Sequence, residues 1–143
     1  MDRRDTYSFG TSAQVKNSPK FAKILKCIAR VIAEADETLQ RDYPCPFFAE
    51  IFITSIPEKY GGCGLAKEMY RRMLPFIKSR GFSVIRSTFT SPKTRSIAKK
   101  LGFKEMHRIY LKNQLDEDGK KLFPTAGNGE QEFINDTAIL LSN

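Results

Sequence analysis

Residues Ile51–Ala66 read IFITSIPEKYGGCGLA, and this stretch decides the fold. An apolar, β-branched run predicts a strand, three glycines follow within four residues, and a helical pattern then begins. Glycine lacks a Cβ, so its backbone can turn tightly and bring N–H groups against a ligand, while the following helix adds unpaired donors and the positive end of its dipole. Taken alone, the turn is equally compatible with an anion site and with an ordinary strand-to-helix connection.

Two familiar phosphate-binding loops do not match this stretch. The nucleotide P-loop closes its glycine run with Lys followed by Ser or Thr, whereas Leu65 and Ala66 occupy those places. The dinucleotide-binding fingerprint needs a further glycine where this chain has Lys67. The loop must therefore be interpreted from the rest of the chain.

Hydrophobic periodicity predicts the order α-β-α-β-α-β-β. The first helix begins with Ser18 as N-cap and Pro19 at its first position, and Ser91 with Pro92 repeats that signal. The predicted helices cover residues 19–40, 65–80 and 92–101, and the predicted strands cover 47–56, 82–89, 103–111 and 131–141. Strand 47–56 is expected to be central and largely buried.

The two longer predicted helices are amphipathic. The first should turn Phe21, Ile24, Leu25, Ile28, Ile32, Ala35 and Leu39 towards the core, and the second Leu65, Met69, Met73, Phe76 and Ile77. Pro75 removes one helical hydrogen bond, which predicts a kink or a break near Arg71 and Arg72.

Composition limits the class of protein. A chain of 143 residues with 41% hydrophobic residues supports one domain with its own core, here residues 18–143, behind a polar tail over residues 1–17 that we expect to be frayed. No apolar run approaches the roughly 20 residues of a membrane span, and no signal peptide is recognisable, so we expect a cytoplasmic protein without a membrane partner. Three cysteines without metal spacing and a single histidine predict no metal site.

Residues Tyr60–Ala66 resemble the acetyl-CoA pyrophosphate loop of the GNAT superfamily of N-acetyltransferases, with its pattern Gln/Arg-x-x-Gly-x-Gly/Ala. Gly64 and Ala66 match the last two fixed positions, and Gly61 replaces the usual Gln or Arg. Residues 91–103 resemble the next family element, a short helix that runs into a Leu-Gly-Phe strand entry. There Ala98 replaces the tyrosine that protonates the CoA thiolate in many members.

A more detailed resemblance is to the insect-type arylalkylamine N-acetyltransferases. It rests on the strand end Ile53–Ile56, on Thr90 and Thr94 where that family commonly has paired serines, and on the segment Asp116–Phe123. It implies an α/β (α+β) GNAT fold, a mixed sheet flanked by helices and lacking the N-terminal strands of the family. The open sheet edge left by those strands would favour a homo-oligomer.

The resemblance also implies a function, acetyl transfer from acetyl-CoA to a primary amine such as dopamine, serotonin or tryptamine. The implied cofactor-binding residues are Ser55, Ile56, Gly61, Gly62, Cys63, Gly64, Leu65 and Ala66. Thr90 and Thr94 would be catalytic, holding a water or relaying a proton, although both hydroxyls could equally satisfy nearby backbone groups. A catalytically silent module that binds CoA or dimerises is the alternative.

The charge of the chain indicates the kind of ligand it attracts. A formal net charge of +8 favours polyanions such as CoA, and Lys93 and Arg95 are the cations most expected to contact one. Nucleic-acid binding is not expected, because no recognised module or interleaved aromatic pattern is present. Burial could raise the pKa of Glu50 towards that of a base, or the carboxylate could pair with a cation. Core packing is the simpler interpretation of Tyr70.

Overall fold

The structure is a computed structural model that describes residues 18–124 and 132–142. Within these ranges three α-helices and four strands follow one another in the predicted order, and the predicted tail over residues 1–17 lies outside them. The elements are α1 (Pro19–Asp42), β1 (Ala49–Ile51), α2 (Leu65–Ser79), β2 (Val84–Phe89), α3 (Pro92–Leu101), β3 (Lys104–Tyr110) and β4 (Phe133–Leu140). Short 3₁₀ turns cover Glu58–Tyr60 and Leu111–Asn113.

The sheet is mixed, with strand order β1-β2-β4-β3. Strands β1 and β2 are parallel, and β4 pairs antiparallel with both β2 and β3. The prediction of a long central strand over residues 47–56 is therefore wrong, because only Ala49–Ile51 pair and they lie at the edge. Apolar character alone could not distinguish the three paired residues from the exposed Phe52 and Ile53 that follow.

Helix α3 begins and ends as its sequence predicts. The hydroxyl of Ser91 accepts a hydrogen bond from the backbone N–H of Thr94 at 3.3 Å, and Pro92 occupies the first turn. Gly102 ends the helix with φ = 101°, a conformation that favours glycine. At the start of α1, by contrast, Ser18 makes no side-chain cap and only Pro19 follows the prediction.

Helices cover both faces of the sheet. Helix α1 packs on β3 and β4, where Val31, Ile32 and Leu39 are buried, whereas Phe21 is 47% exposed and does not join the core. Helices α2 and α3 pack on the opposite face, around Ile85 of β2. No helix in the described ranges has both the length and the apolar character that crossing a bilayer requires.

Helix α2 turns only part of the predicted stripe to the sheet, because Met73 and Ile77 point inward as expected and the other three residues do not. The residues packed in the core are Tyr70, Met73, Leu74 and Ile77. Leu65, Met69 and Phe76, which were expected to point inward, are exposed. Both stripes satisfy helical spacing, and the buried Tyr70, which contacts Phe89 edge-to-face, belongs to the inward one.

Pro75 does not interrupt α2, so of the kink or break predicted near Arg71 and Arg72 the break does not occur. The helix is continuous from Leu65 to Ser79 with Pro75 inside it. Pro75 lies on the exposed side, where water can hydrate the carbonyl that loses its helical partner.

A buried arginine connects α1 to the sheet. The guanidinium of Arg86 on β2 donates to Asp136 on β4 at 2.7 Å, to Asp36 on α1 at 2.7 Å and to the carbonyl of Ile32 at 2.6 Å. Because Arg86 and Asp136 are nearly or fully inaccessible to water, each would be costly to bury without the other.

Candidate functional site

The glycine-rich loop presents unpaired backbone donors at the start of α2. Gly62 and Gly64 adopt the left-handed conformation, with φ of 76° and 73°. The first intrahelical hydrogen bond runs from the N–H of Glu68 to the carbonyl of Gly64, at 3.1 Å. Gly64 is the N-cap residue and has no side chain that could accept hydrogen bonds from the N–H groups of residues 65–67. The N–H groups of residues 65–67 therefore remain free of intrahelical partners at the positive end of the helix dipole.

The space in front of this loop is open. A Cβ built on Gly62 or Gly64 would meet no heavy atom within 4 Å, so the glycines are needed for their backbone angles and not to relieve crowding within the chain. Residues Gly61–Leu65 are exposed and Ala66 is half-buried. A ligand with negative charge can therefore approach the loop from solvent.

Gly61 has a different role from Gly62 and Gly64. Its backbone is extended, and its N–H donates to the carbonyl of Glu58 at 2.9 Å, closing the short 3₁₀ turn. A Cβ on Gly61 would lie 3.0 Å from that carbonyl oxygen, which is tighter than an ordinary contact. An arginine or glutamine at this position would require the turn to relax slightly.

Strands β1 and β2 separate beside the loop. Their pairing ends at Ile51 and Ser87, where the Ser87 hydroxyl donates to the Ile51 carbonyl at 3.0 Å. Strand β2 continues to Phe89, while residues 52–57 leave the sheet. We call the opening between these two segments the wedge.

Helix α2 holds the far side of the wedge. The hydroxyls of Thr54 and Tyr70 are 2.6 Å apart and form a hydrogen bond, so the departing chain is attached to α2 instead of β2. Ser55, exposed, and Ile56, half-buried, follow directly and lead into the loop. The wedge thus lies at the carboxyl ends of two parallel strands, where ligands commonly bind in open α/β sheets.

The predicted catalytic threonines are in different environments. Thr90 is exposed immediately after β2. Thr94 is half-buried, and its hydroxyl donates to the Ser91 carbonyl at 3.1 Å and lies 3.1 Å from the Ser91 hydroxyl. The Thr94 hydroxyl thus satisfies a backbone carbonyl at the start of α3, which is the alternative to a catalytic role.

Ala98 lies on the buried face of α3. It is 2% exposed and packs in the cluster that contains Phe89 and Phe103. A methyl group cannot donate a proton, so Ala98 cannot act as the acid that a tyrosine would supply.

Charged side chains near the site are partly neutralised. Hydrogen bonds from Arg71 and Arg72, at 2.8 and 2.6 Å, lower the pKa of Glu68 to about 2, so this carboxylate is no base at neutral pH. On β1, burial raises the pKa of Glu50, Arg86 opposes the rise and the charge of Asp136 adds to it. The environment of the Glu50 carboxylate therefore favours proton uptake. Among the described residues, no group of His, Cys and carboxylate side chains could hold a metal ion.

Sequence comparison yields no match to a family profile or to a curated protein. Structural comparison does yield matches. A mosquito arylalkylamine N-acetyltransferase-like 5b protein is 25% identical, with a TM-score of 0.74 over 96% of this chain and 62% of its own. Arylalkylamine N-acetyltransferase 2 of Aedes aegypti is 22% identical, with a TM-score of 0.70 over 94% of this chain and 63% of its own. A Drosophila melanogaster polyamine N-acetyltransferase is 15% identical, with a TM-score of 0.69 over 85% of this chain and 56% of its own.

These similarities define the class. The chain has the GNAT acetyltransferase fold, α+β with a mixed sheet, and insect-type N-acetyltransferases are among the solved structures that share it. It spans less than two thirds of the length of the solved chains it matches.

Proposed function

We propose that this chain binds acetyl-CoA and transfers its acetyl group to a primary amine, and that the amine is an arylalkylamine such as dopamine, serotonin or tryptamine. The observation that carries the proposal is the position of the left-handed glycine loop beside the wedge, within a fold shared with solved N-acetyltransferases. Each of the two features is common alone. Their adjacency suits a long ligand with an anionic part and an extended part.

The residues present fit acetyl-CoA. The N–H groups of residues 62–67 would hold the pyrophosphate, since they are exposed, partly unpaired and face open space. The backbone of Ser55 and Ile56 would bind the amide-containing arm along the wedge, because no strand in the described ranges pairs with these residues. When bound, the thioester supplies an activated acetyl group.

The remaining task is proton transfer, for which the chain offers limited machinery. The amine must lose a proton, and Glu50, with its raised pKa, would accept it through water. Thr90, exposed at the end of β2, would hold a separate water, and Thr94 would contribute only if its hydroxyl left Ser91. The departing thiolate would take its proton from solvent, because Ala98 supplies none.

The substrate class is supported by the solved structures that resemble this chain. Arylalkylamine N-acetyltransferases from mosquitoes are among them, and so are enzymes named for polyamines and agmatine. Both groups are named as N-acetyltransferases of amines. The aromatic preference comes from the features of the sequence at residues 53–56, 90, 94 and 116–123.

A catalytically silent CoA-binding module is the second candidate. It is favoured by the buried Ala98 and by the commitment of the Thr94 hydroxyl to Ser91. Both observations remove proton-transfer groups and leave the loop and the wedge intact.

One experiment separates the two candidates. Purified chain is incubated with acetyl-CoA and tryptamine, dopamine or agmatine, acetylated amine is quantified by mass spectrometry, and CoA affinity is measured by calorimetry. We expect CoA binding with slow acetylation of the aromatic amines, because a missing general acid costs roughly 10²–10⁴-fold in rate. Binding without any product supports the silent module, preference for agmatine overturns the aromatic assignment, and absence of CoA binding overturns both candidates.

A further inference from the structure

A large cavity lies apart from the glycine-rich loop. It is a groove of about 830 Å³ beside α3, over the part of the sheet formed by β3 and β4. None of residues 51–66 lines it. A cavity of this volume accommodates a small organic ligand.

The groove combines aromatic and cationic side chains. Its apolar lining comes from Phe89, Phe103 and Phe133. The guanidinium carbons of Arg95 and Arg108 lie 4.0 and 3.9 Å from the centre of the Phe133 ring, a cation–π geometry.

The charge of the groove is unbalanced. Its single acidic lining residue, Glu105, binds Arg108 through both carboxylate oxygens at 2.8 and 3.0 Å. Lys99 and Lys104 also line the groove, are exposed, and form no ion pair with the residues that the structure describes. Burial is the main cause that lowers the pKa of Arg95, and the charge of the nearby Arg108 lowers it further. The groove would be stabilised by an anion.

A buried acceptor in the groove wall lacks a donor. Asn135 is 6% exposed, and its amide nitrogen donates to Glu105 at 2.8 Å. This bond fixes the orientation of the amide, since the flipped arrangement would face two oxygens against each other. The amide oxygen of Asn135 then accepts no hydrogen bond from the described part of the chain. An unpaired buried acceptor is costly unless a ligand or water satisfies it.

We propose that this groove binds a small aromatic anion that carries an N–H or O–H donor on its ring. The ring lies against the phenylalanines, the anionic group faces Lys99 and Lys104, and the ring donor satisfies Asn135. Carboxylates and phosphate esters share this chemistry. The glycine-rich loop and residues 52–57 do not line the groove, and Phe89 at the end of β2 is its one residue on the border of the wedge, so we expect the anion and acetyl-CoA to bind independently.

The test uses 4-aminobenzoate and adenosine monophosphate as probes of the two anion types, with benzoate and inorganic phosphate as controls that lack the ring donor or the ring. Binding is followed by calorimetry at low salt and by saturation-transfer NMR. We expect at least one of the two donor-bearing probes to bind saturably, and more tightly than its control. Saturating CoA should leave this affinity unchanged.

The matched variants are Lys99→Ala with Lys104→Ala, and Lys100→Ala with Lys23→Ala. Both pairs remove two positive charges from exposed positions, but Lys100 and Lys23 do not line the groove. We expect the first pair to weaken probe binding by at least about tenfold and the second to change it less than about twofold. Equal loss in both pairs, competition with CoA, or no saturable binding of either probe would overturn the proposal. Failure of CoA binding alone would overturn the acetyltransferase proposal and leave this one standing.

Discussion

Replacement of Gly64 tests the proposed anion site most directly. The residue has φ = 73°, and a Cβ there would enter the open space in front of the loop. A side chain in this conformation costs about 1–2 kcal/mol of folding free energy, and more for β-branched valine. In the complex, valine would also exclude part of the ligand. If one or two charge-assisted hydrogen bonds from the loop are lost, at about 1.5–3 kcal/mol each, CoA affinity should fall by at least about tenfold.

Gly81 supplies the matched control for this experiment. It has φ = 92°, follows α2 at its opposite end, and its Cβ would also meet nothing within 4 Å. Gly64→Val and Gly81→Val should therefore lower the free energy of unfolding in urea by similar amounts, while only Gly64→Val weakens CoA binding in calorimetry. Gly64→Asn separates strain from space, because asparagine tolerates the left-handed conformation but still fills the site. Unchanged CoA affinity in folded Gly64→Val would refute the assignment of this loop to the pyrophosphate.

Three further outcomes follow from the same geometry. Gly61→Arg should raise CoA affinity, but by less than the roughly 1.5–3 kcal/mol of a charge-assisted contact, because its Cβ would press on the Glu58 carbonyl 3.0 Å away. Gly61→Ala is the control, since it has the same Cβ and no charge. Equal CoA affinities of the two variants in calorimetry would contradict the expectation. Because the folded-state pKa of Glu50 is raised above 4.5, its contribution to stability is complete below that pH and lost as pH rises. Glu50→Gln should thus lose less stability than the parent between pH 4.5 and neutrality in urea titrations, and parallel pH profiles would show that Glu50 is solvated. Tyr70→Phe removes the 2.6 Å hydrogen bond to Thr54. It should lower the free energy of unfolding by about 1 kcal/mol and also weaken CoA binding. An unchanged free energy of unfolding would show that this bond does not stabilise the position of residues 52–57.

Local signals in the sequence predicted the loop and α3 well. Glycine at positions 62 and 64 is required by backbone angles that the sequence pattern already indicated, and Ser91, Pro92 and Gly102 bound their helix as expected. Each of these features depends on a few consecutive residues, so propensity and capping rules suffice.

Features that depend on distant partners could not be predicted in the same way. Strand β1 ends at Ile51 because Ser87 donates to its carbonyl, and the chain beyond it is attached through Thr54 to Tyr70. The apolar stretch over residues 47–56 contains no signal for either contact. Periodicity likewise predicted the inward residues of α2 correctly only at Met73 and Ile77, since two neighbouring stripes of apolar residues compete and tertiary packing selects between them.

The Arg86 contacts have a consequence for how the molecule unfolds. Asp36 and Asp136 are each 50 residues from Arg86 along the chain, in opposite directions. Loss of α1 alone would leave the guanidinium without two of its acceptors, and loss of β4 alone would leave it without the third. Neither α1 nor β4 can therefore detach at low cost. We expect residues 18–124 and 132–142 to melt as one cooperative unit, with hydrogen-exchange protection in α1 and β4 that rises and falls together.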